Sequence, residues 1–116
     1  MPATGYRYVD NASAKKITSL GVIAKKDGGT YVSFDKIENA STAQSKLQIP
    51  YTPDTRIGFD TLDYVNDMTI PHGNWGSANY LEPITKDYSE YGVGGATQVL
   101  IHKDIKATNI VRLSDG

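Results

Sequence analysis

Arg7 stands between two tyrosines in "YRYV", and Gln98 closes the glycine-rich run "YGVGGATQ". A guanidinium on a strand can fork onto a phosphate or carboxylate with two parallel hydrogen bonds. A glutamine at the mouth of a strand offers an amide without charge. Between them, "GTYVSF" alternates, so Tyr31 and Ser33 share one face while Thr30 and Val32 share the other. That sets a stacking ring beside a hydroxyl. Gly92, Gly94 and Gly95 give the backbone ahead of Gln98 access to positive φ and to close approach. Each group also fits a plain structural role: an edge-strand ion pair for Arg7, an ordinary strand for "TYVSF", a mobile hairpin for Gln98.

The elements that must position these groups follow from periodicity. "YRYV", from Tyr6 to Val9, reads as a first strand. "DNASAKKITSLG" predicts a helix capped by Asn11 or Ser13, with Ala14, Ile17 and Leu20 on one face and Gly21 as a left-handed stop. A polar turn, Lys25 to Gly29, leads into a strand from Thr30 to Phe34. "ENASTAQSKLQIP" predicts a second helix, with Asn39 or Ser41 as cap, Ala40, Ala43 and Leu47 inward, and Pro50 closing it. In "TRIGFDTL", Ile57 and Phe59 alternate with Arg56, Gly58 and Asp60 as a third strand. From Tyr64 to Gly95 no clear period survives, and so long a stretch inside a small domain is expected to be a functional loop. Ala96 to Ile101 and Asn109 to Leu113 read as the last strands. The expectation is one domain, residues 1–116, of α+β class: a small curved or split, mostly antiparallel sheet with two short helices. Short helices and tightly joined final strands argue against a parallel doubly wound sheet.

A chain of 116 residues has room for one core and one cleft. The formal net charge of −1 supplies no cationic surplus for non-specific attraction to nucleic acid, and no apolar run approaches a membrane span. Without cysteine there is no disulfide, thiolate nucleophile or zinc-thiolate site. No close His/Cys cluster or calcium-loop spacing is present, so no metal is expected. "GVGG" lacks the Gly-Lys-Ser/Thr of a phosphate loop. "MPATGYRY" has neither a charged n-region nor an apolar h-region, so export is expected to depend on a larger carrier. Eight tyrosines against two phenylalanines fit a surface that recognises a ligand or partner and fit half-buried strands equally well.

Taken in order, "GYRYVDNASAKKITSLGVI", "GTYVSFDKIENASTAQSKLQIP", "TRIGFDT" and "LEPITKDYSEYGVGGATQVLI" resemble the small ADP-ribosyltransferase-like toxin domains at the C-termini of bacterial polymorphic toxins. They look most like those of Rhs-type effectors that target elongation factor Tu. The resemblance covers nearly the whole chain, although each motif is short. It implies NAD+ as substrate, held by Arg7 on the first strand and by Tyr8, Thr30, Tyr31, Gly94 and Gly95. It implies that Ser33 works beside the nicotinamide ribose, and that Gln98 occupies the third-motif position, facing the ribose, where the family usually has Glu. The catalytic set is then Arg7, Ser33 and Gln98. An amide can bind the ribose hydroxyl but cannot supply negative charge to an oxocarbenium-like transition state, so Glu82 or Glu90 is expected to add it unless the amide suffices. Some related NAD glycohydrolase toxins resemble this pattern with Gln in that place. The resemblance further implies delivery as the C-terminal part of a secreted effector, action in the cytoplasm of a target bacterium, inhibition of translation, and a cognate immunity protein.

Three other readings start from other residues. NAD+ hydrolysis without an acceptor differs from transfer only in loop shape. A colicin-like ribonuclease would use His72 and His102 as acid and base, with Lys103 or Arg56 on the phosphate. A binding module would use the tyrosine-rich face and Trp75 on a protein partner.

Overall fold

In the computed structural model, which describes residues 1–72 and 83–115, two six-residue strands build the frame. β1 (Thr4–Val9) pairs antiparallel with the strand Thr55–Asp60, from Thr4 opposite Asp60 to Val9 opposite Thr55. Between these come α1 (Asn11–Leu20), β2 (Val22–Ile23), β3 (Thr30–Val32) and α2 (Ala40–Leu47), so Thr55–Asp60 is β4. A 3-10 helix (Thr61–Asp67) leads to β5 (Met68–Thr69), and β6 (Val99–Ile101), β7 (Ile105–Lys106) and β8 (Asn109–Arg112) follow. The strands form three antiparallel sheets with orders β1-β4-β8, β2-β7 and β3-β6-β5. The domain is therefore α+β, with a sheet that is split and antiparallel. Among the described residues no helix is long and apolar enough to cross a membrane.

The core lies where the sheets face one another and α1. Ile57, Phe59, Ile101 and Ile105 are fully buried, and each such side chain contributes about 1.5–3 kcal/mol of hydrophobic stabilisation. Phe59 meets Tyr64 edge to face, with ring centroids 5.8 Å apart. As the middle strand of its sheet, β4 is covered on both faces. That corrects the expectation that Arg56 alternates outward: it is buried, its Nη1 donates to Ile37 O at 3.1 Å, and its guanidinium lies over the Tyr6 ring.

The helices keep to expectation with local corrections. Asp10, not Asn11 or Ser13, caps α1: it has extended dihedrals and its carboxylate accepts from Ser13 N at 2.8 Å, while the other two already lie inside the helix. Gly21 makes the left-handed stop, its N–H reaching Ile17 O. Ala14 and Ile17 are buried but Leu20 is exposed, because the helix ends there and its apolar face is not continued. Asn39 caps α2 by accepting from Thr42 N, and Ala40 and Ala43 face inward.

Two strands are shorter than expected, and both losses shape the cleft. β3 stops at Val32 because Ser33 pairs across to β1: Tyr6 N donates to Ser33 O at 2.7 Å and Ser33 N to Tyr6 O at 2.9 Å. β6 starts at Val99 because Thr97 bridges Ile84 and Gln98 N donates to Pro83 O instead. The aperiodic stretch expected from Tyr64 also begins within the 3-10 helix, whose cap is Asp60. The seven-residue segment hides Thr61 and Tyr64 without a helical stripe.

Candidate functional site

The Tyr6–Ser33 bridge is the only link between the first and third sheets in the backbone ladder of the described residues. The sheets part beside it, and a cleft of about 330 Å³ opens there. Arg7, Tyr8, Tyr31, Ser33 and Gln98 all line it. Residues expected to act together from three distant stretches thus share one concavity.

Arg7 is half-buried, and its Nη1 donates to Tyr31 O at 2.9 Å. That bond fixes the fork against β3 while using one of its five donors. Burial lowers the guanidinium below its ordinary pKa, with Tyr51 opposing the shift. Arginine stays charged at physiological pH. The Tyr31 side chain lines the same cleft and is 51% exposed. The alternation of β3 is observed, with Thr30 and Val32 buried behind Tyr31.

Ser33 lines the cleft but is almost fully buried, and its hydroxyl is committed. Its Oγ lies 3.1 Å from Thr97 Oγ1 and accepts from Asp35 N at 3.1 Å. Asp35 Oδ2 in turn accepts from Thr97 N at 2.6 Å and from Thr97 Oγ1 at 3.2 Å. Phe34 N donates to Thr97 Oγ1 at 2.9 Å. This knot ties the end of β3 to the residue before Gln98. Ser33 therefore positions Gln98 rather than offering a free hydroxyl.

Three expected ligand-binding residues lie outside the cleft lining and bond within the frame. Thr30 is fully buried away from the cleft and its Oγ1 accepts from Lys26 N, closing the preceding turn. Gly94 and Gly95 also lie outside the cleft lining. Their N–H groups donate to Ser45 O and Thr85 O, seating the run on α2 and on residue 85. At Gly94, with φ +74°, a Cβ would meet Thr85 O at 2.4 Å, and at Gly92 it would meet Ser45 Cα at 2.2 Å. The permissive backbone lets a segment press against a helix. Tyr8 borders the cleft, but its hydroxyl donates to Asp35 O and accepts from Ile37 N, and burial pushes its pKa up to about 12.

The opposite wall was not legible. Gln48, Tyr51, Lys86, Asp87 and Tyr88 line the cleft from beyond α2 and from the 83–92 stretch. Gln48 caps α2 in the left-handed region, φ 55°, and is buried. Its Nε2 donates to Gly92 O and its Oε1 accepts from Tyr88 N, both at 3.1 Å. One signal was available: unlike α1, α2 ends with no glycine before Pro50, so another residue must take the left-handed turn. Of the expected carboxylates, Glu90 is exposed and absent from the cleft lining, and Glu82 lies outside the described residues. Asp87 is the carboxylate that lines the cleft among the described residues.

The ribonuclease set does not assemble. His72 lines the cleft, but His102 is held at 2.7 Å by Thr69 Oγ1, Lys103 lies over the Tyr64 ring, and Arg56 is in the core. Trp75, invoked for a binding face, lies outside the described residues. Five tyrosines (Tyr6, Tyr8, Tyr31, Tyr51 and Tyr88) line a concavity rather than a flat patch. Among the described residues no group of three His, Cys, Asp or Glu could hold a metal ion. A half-buried cation, exposed rings and an amide in one cleft suit an anionic ligand with a flat ring and hydroxyls. No family model, curated protein or solved structure matches the chain.

Proposed function

We propose that this chain is an ADP-ribosyltransferase-like toxin domain that cleaves NAD+ and transfers ADP-ribose to a bacterial protein. The observation that carries the reading is the convergence of Arg7, Tyr31 and Gln98 on one cleft, with Ser33 fastened behind Gln98. In this reading the Arg7 fork holds the pyrophosphate and the Tyr31 ring lies against the nicotinamide. The Gln98 amide binds the ribose hydroxyl. The glycosidic C–N bond breaks with its electron pair leaving on neutral nicotinamide, and the ribose carbon becomes oxocarbenium-like. A hydrogen bond from the 2-hydroxyl to Gln98 strengthens as that charge develops. An acceptor nucleophile then bonds to the carbon and releases its proton.

Water as acceptor is the second reading. The Gln98 amide takes a proton neither from water nor from a protein nucleophile, so in both readings the acceptor's proton passes to solvent. Elongation factor Tu as target, translation inhibition and neutralisation by an immunity protein rest on the sequence resemblance. The test is incubation of the purified domain with labelled NAD+ and a bacterial lysate. Label on one protein band supports transfer, and free ADP-ribose supports hydrolysis. Unconsumed NAD+ rejects both.

A further inference from the structure

Arg7 shares the cleft lining with Tyr31, Tyr51 and Tyr88. Tyr31 lies on β3, where its carbonyl accepts from the guanidinium, and Tyr51 lies after α2, close enough to oppose the burial effect on Arg7. Tyr88, from the 83–92 stretch, also lines the cleft, and its ring lies 6.4 Å from that of Tyr91, centroid to centroid. Tyr51 and Tyr88 are 39% and 51% exposed, so both rings are open to a ligand. A cation that shares a cleft with exposed rings suits a ligand that joins phosphates to flat groups.

We propose that Tyr51 and Tyr88 form a second stacking subsite that takes the purine base of the dinucleotide, and that Gln48 is the positioning residue that holds Tyr88 over it. This deepens the NAD+ reading by naming where the other half of the substrate sits. Gln48 is suited to the task because its one amide grips both sides of the segment, Tyr88 N and Gly92 O. Its left-handed backbone turns the side chain from the end of α2 toward that segment. The two walls then divide the ligand, with nicotinamide mononucleotide using Arg7 and Tyr31, and AMP using Arg7 with Tyr51 and Tyr88.

The experiment titrates the whole chain separately with AMP and with nicotinamide mononucleotide by calorimetry. Tyr51→Ala and Tyr88→Ala should each weaken AMP roughly tenfold while leaving the other mononucleotide within about twofold. Tyr31→Ala should show the reverse. Gln48→Ala should weaken AMP by as much as Tyr88→Ala, and the double variant should lose no more than either single. Retained binding of nicotinamide mononucleotide certifies that a variant is folded. Because Tyr51 and Tyr88 are exposed, their variants decide the matter whatever the buried Gln48 does. Wild-type AMP affinity in both, or no AMP binding by the unaltered chain, overturns the proposal. If NAD+ is never consumed yet AMP binding still depends on Tyr51 and Tyr88, the subsite stands and the catalytic reading falls.

Discussion

The strand wall of the cleft, with Arg7, Tyr31 and Ser33, and the loop wall, with Gln48, Tyr51 and Tyr88, hold their side chains by different means. On the strand wall, ladder register does the positioning: β1 is locked to β4 over six residue pairs, and the Tyr6–Ser33 bridge fixes β3 against it. On the loop wall, individual side chains reach across. Gln48 holds Tyr88 N and Gly92 O, Thr85 donates to Lys46 O, and Gly94 N donates to Ser45 O. A ladder spreads an error over many bonds, whereas a tether concentrates it in one. Conservative changes to strand-wall side chains at the cleft should therefore alter chemistry more than stability, except at Tyr8, whose hydroxyl bonds Asp35 and Ile37. Changes at the seat of the loop wall should alter stability and binding together.

The largest effect should come from Arg7→Lys. It keeps charge and strand but loses the fork, so NAD+ turnover is expected to fall roughly a hundredfold to a thousandfold with an unchanged melting temperature. Near-normal turnover would remove Arg7 from the site. On the loop wall, Gly92→Ala would drive its Cβ to 2.2 Å from Ser45 Cα, a backbone atom that cannot move aside alone. A loss of about 3 kcal/mol in urea unfolding is expected. Wild-type stability there would show that the segment is not pressed onto α2.

The strand wall also has a pH signature. The Tyr8 phenol rises from 10.0 to about 12, with burial as the main cause. The folded state holds its proton where the unfolded chain has released it, so this contribution is complete below pH 10 and is lost as pH rises toward 12. A shift of that size corresponds to about 2–3 kcal/mol. Tyr8→Phe should flatten the alkaline decline while lowering stability near neutrality, since Ile37 N–H loses its acceptor. An unchanged alkaline slope would assign the decline to other groups. The smallest effect is expected for His102→Ala, whose ring serves Thr69 and packs at Gly29. Stability should drop by about 1 kcal/mol, with turnover within twofold. Abolished activity in a folded His102→Ala would revive the ribonuclease reading.

The same contrast explains what was legible. Arg7 and Tyr31 could be found in the sequence because they stand on strands, where alternation fixes which side chains share a face, and Gln98 because it follows the glycine run directly before β6. Helix positions followed from Asn39, Gly21 and the alanine spacing. The loop wall was hidden because its placement depends on tertiary hydrogen bonds that leave no period, and because a glutamine occupies a left-handed cap where glycine is the usual sign. The glycine run was legible as a place of close approach, and at Gly92 and Gly94 the approach is to Ser45 and Thr85. Ser33 was placed correctly at the cleft, yet its commitment to Asp35 and Thr97 depends on contacts across more than sixty residues of chain.

Gln98 tests the central claim most directly. Single-turnover NAD+ consumption should be measured for the wild-type chain, Gln98→Ala and Gln98→Glu. If the amide holds the ribose hydroxyl in the transition state, Gln98→Ala should react roughly a hundredfold slower, by on the order of 3 kcal/mol, with unchanged unfolding. Gln98→Glu should keep the hydrogen bond, add charge beside the oxocarbenium-like carbon, and react at least as fast as wild type. Equal rates for wild type and Gln98→Ala would contradict the account, leaving Gln98 as a strand-entry residue and the cleft without its proposed chemistry.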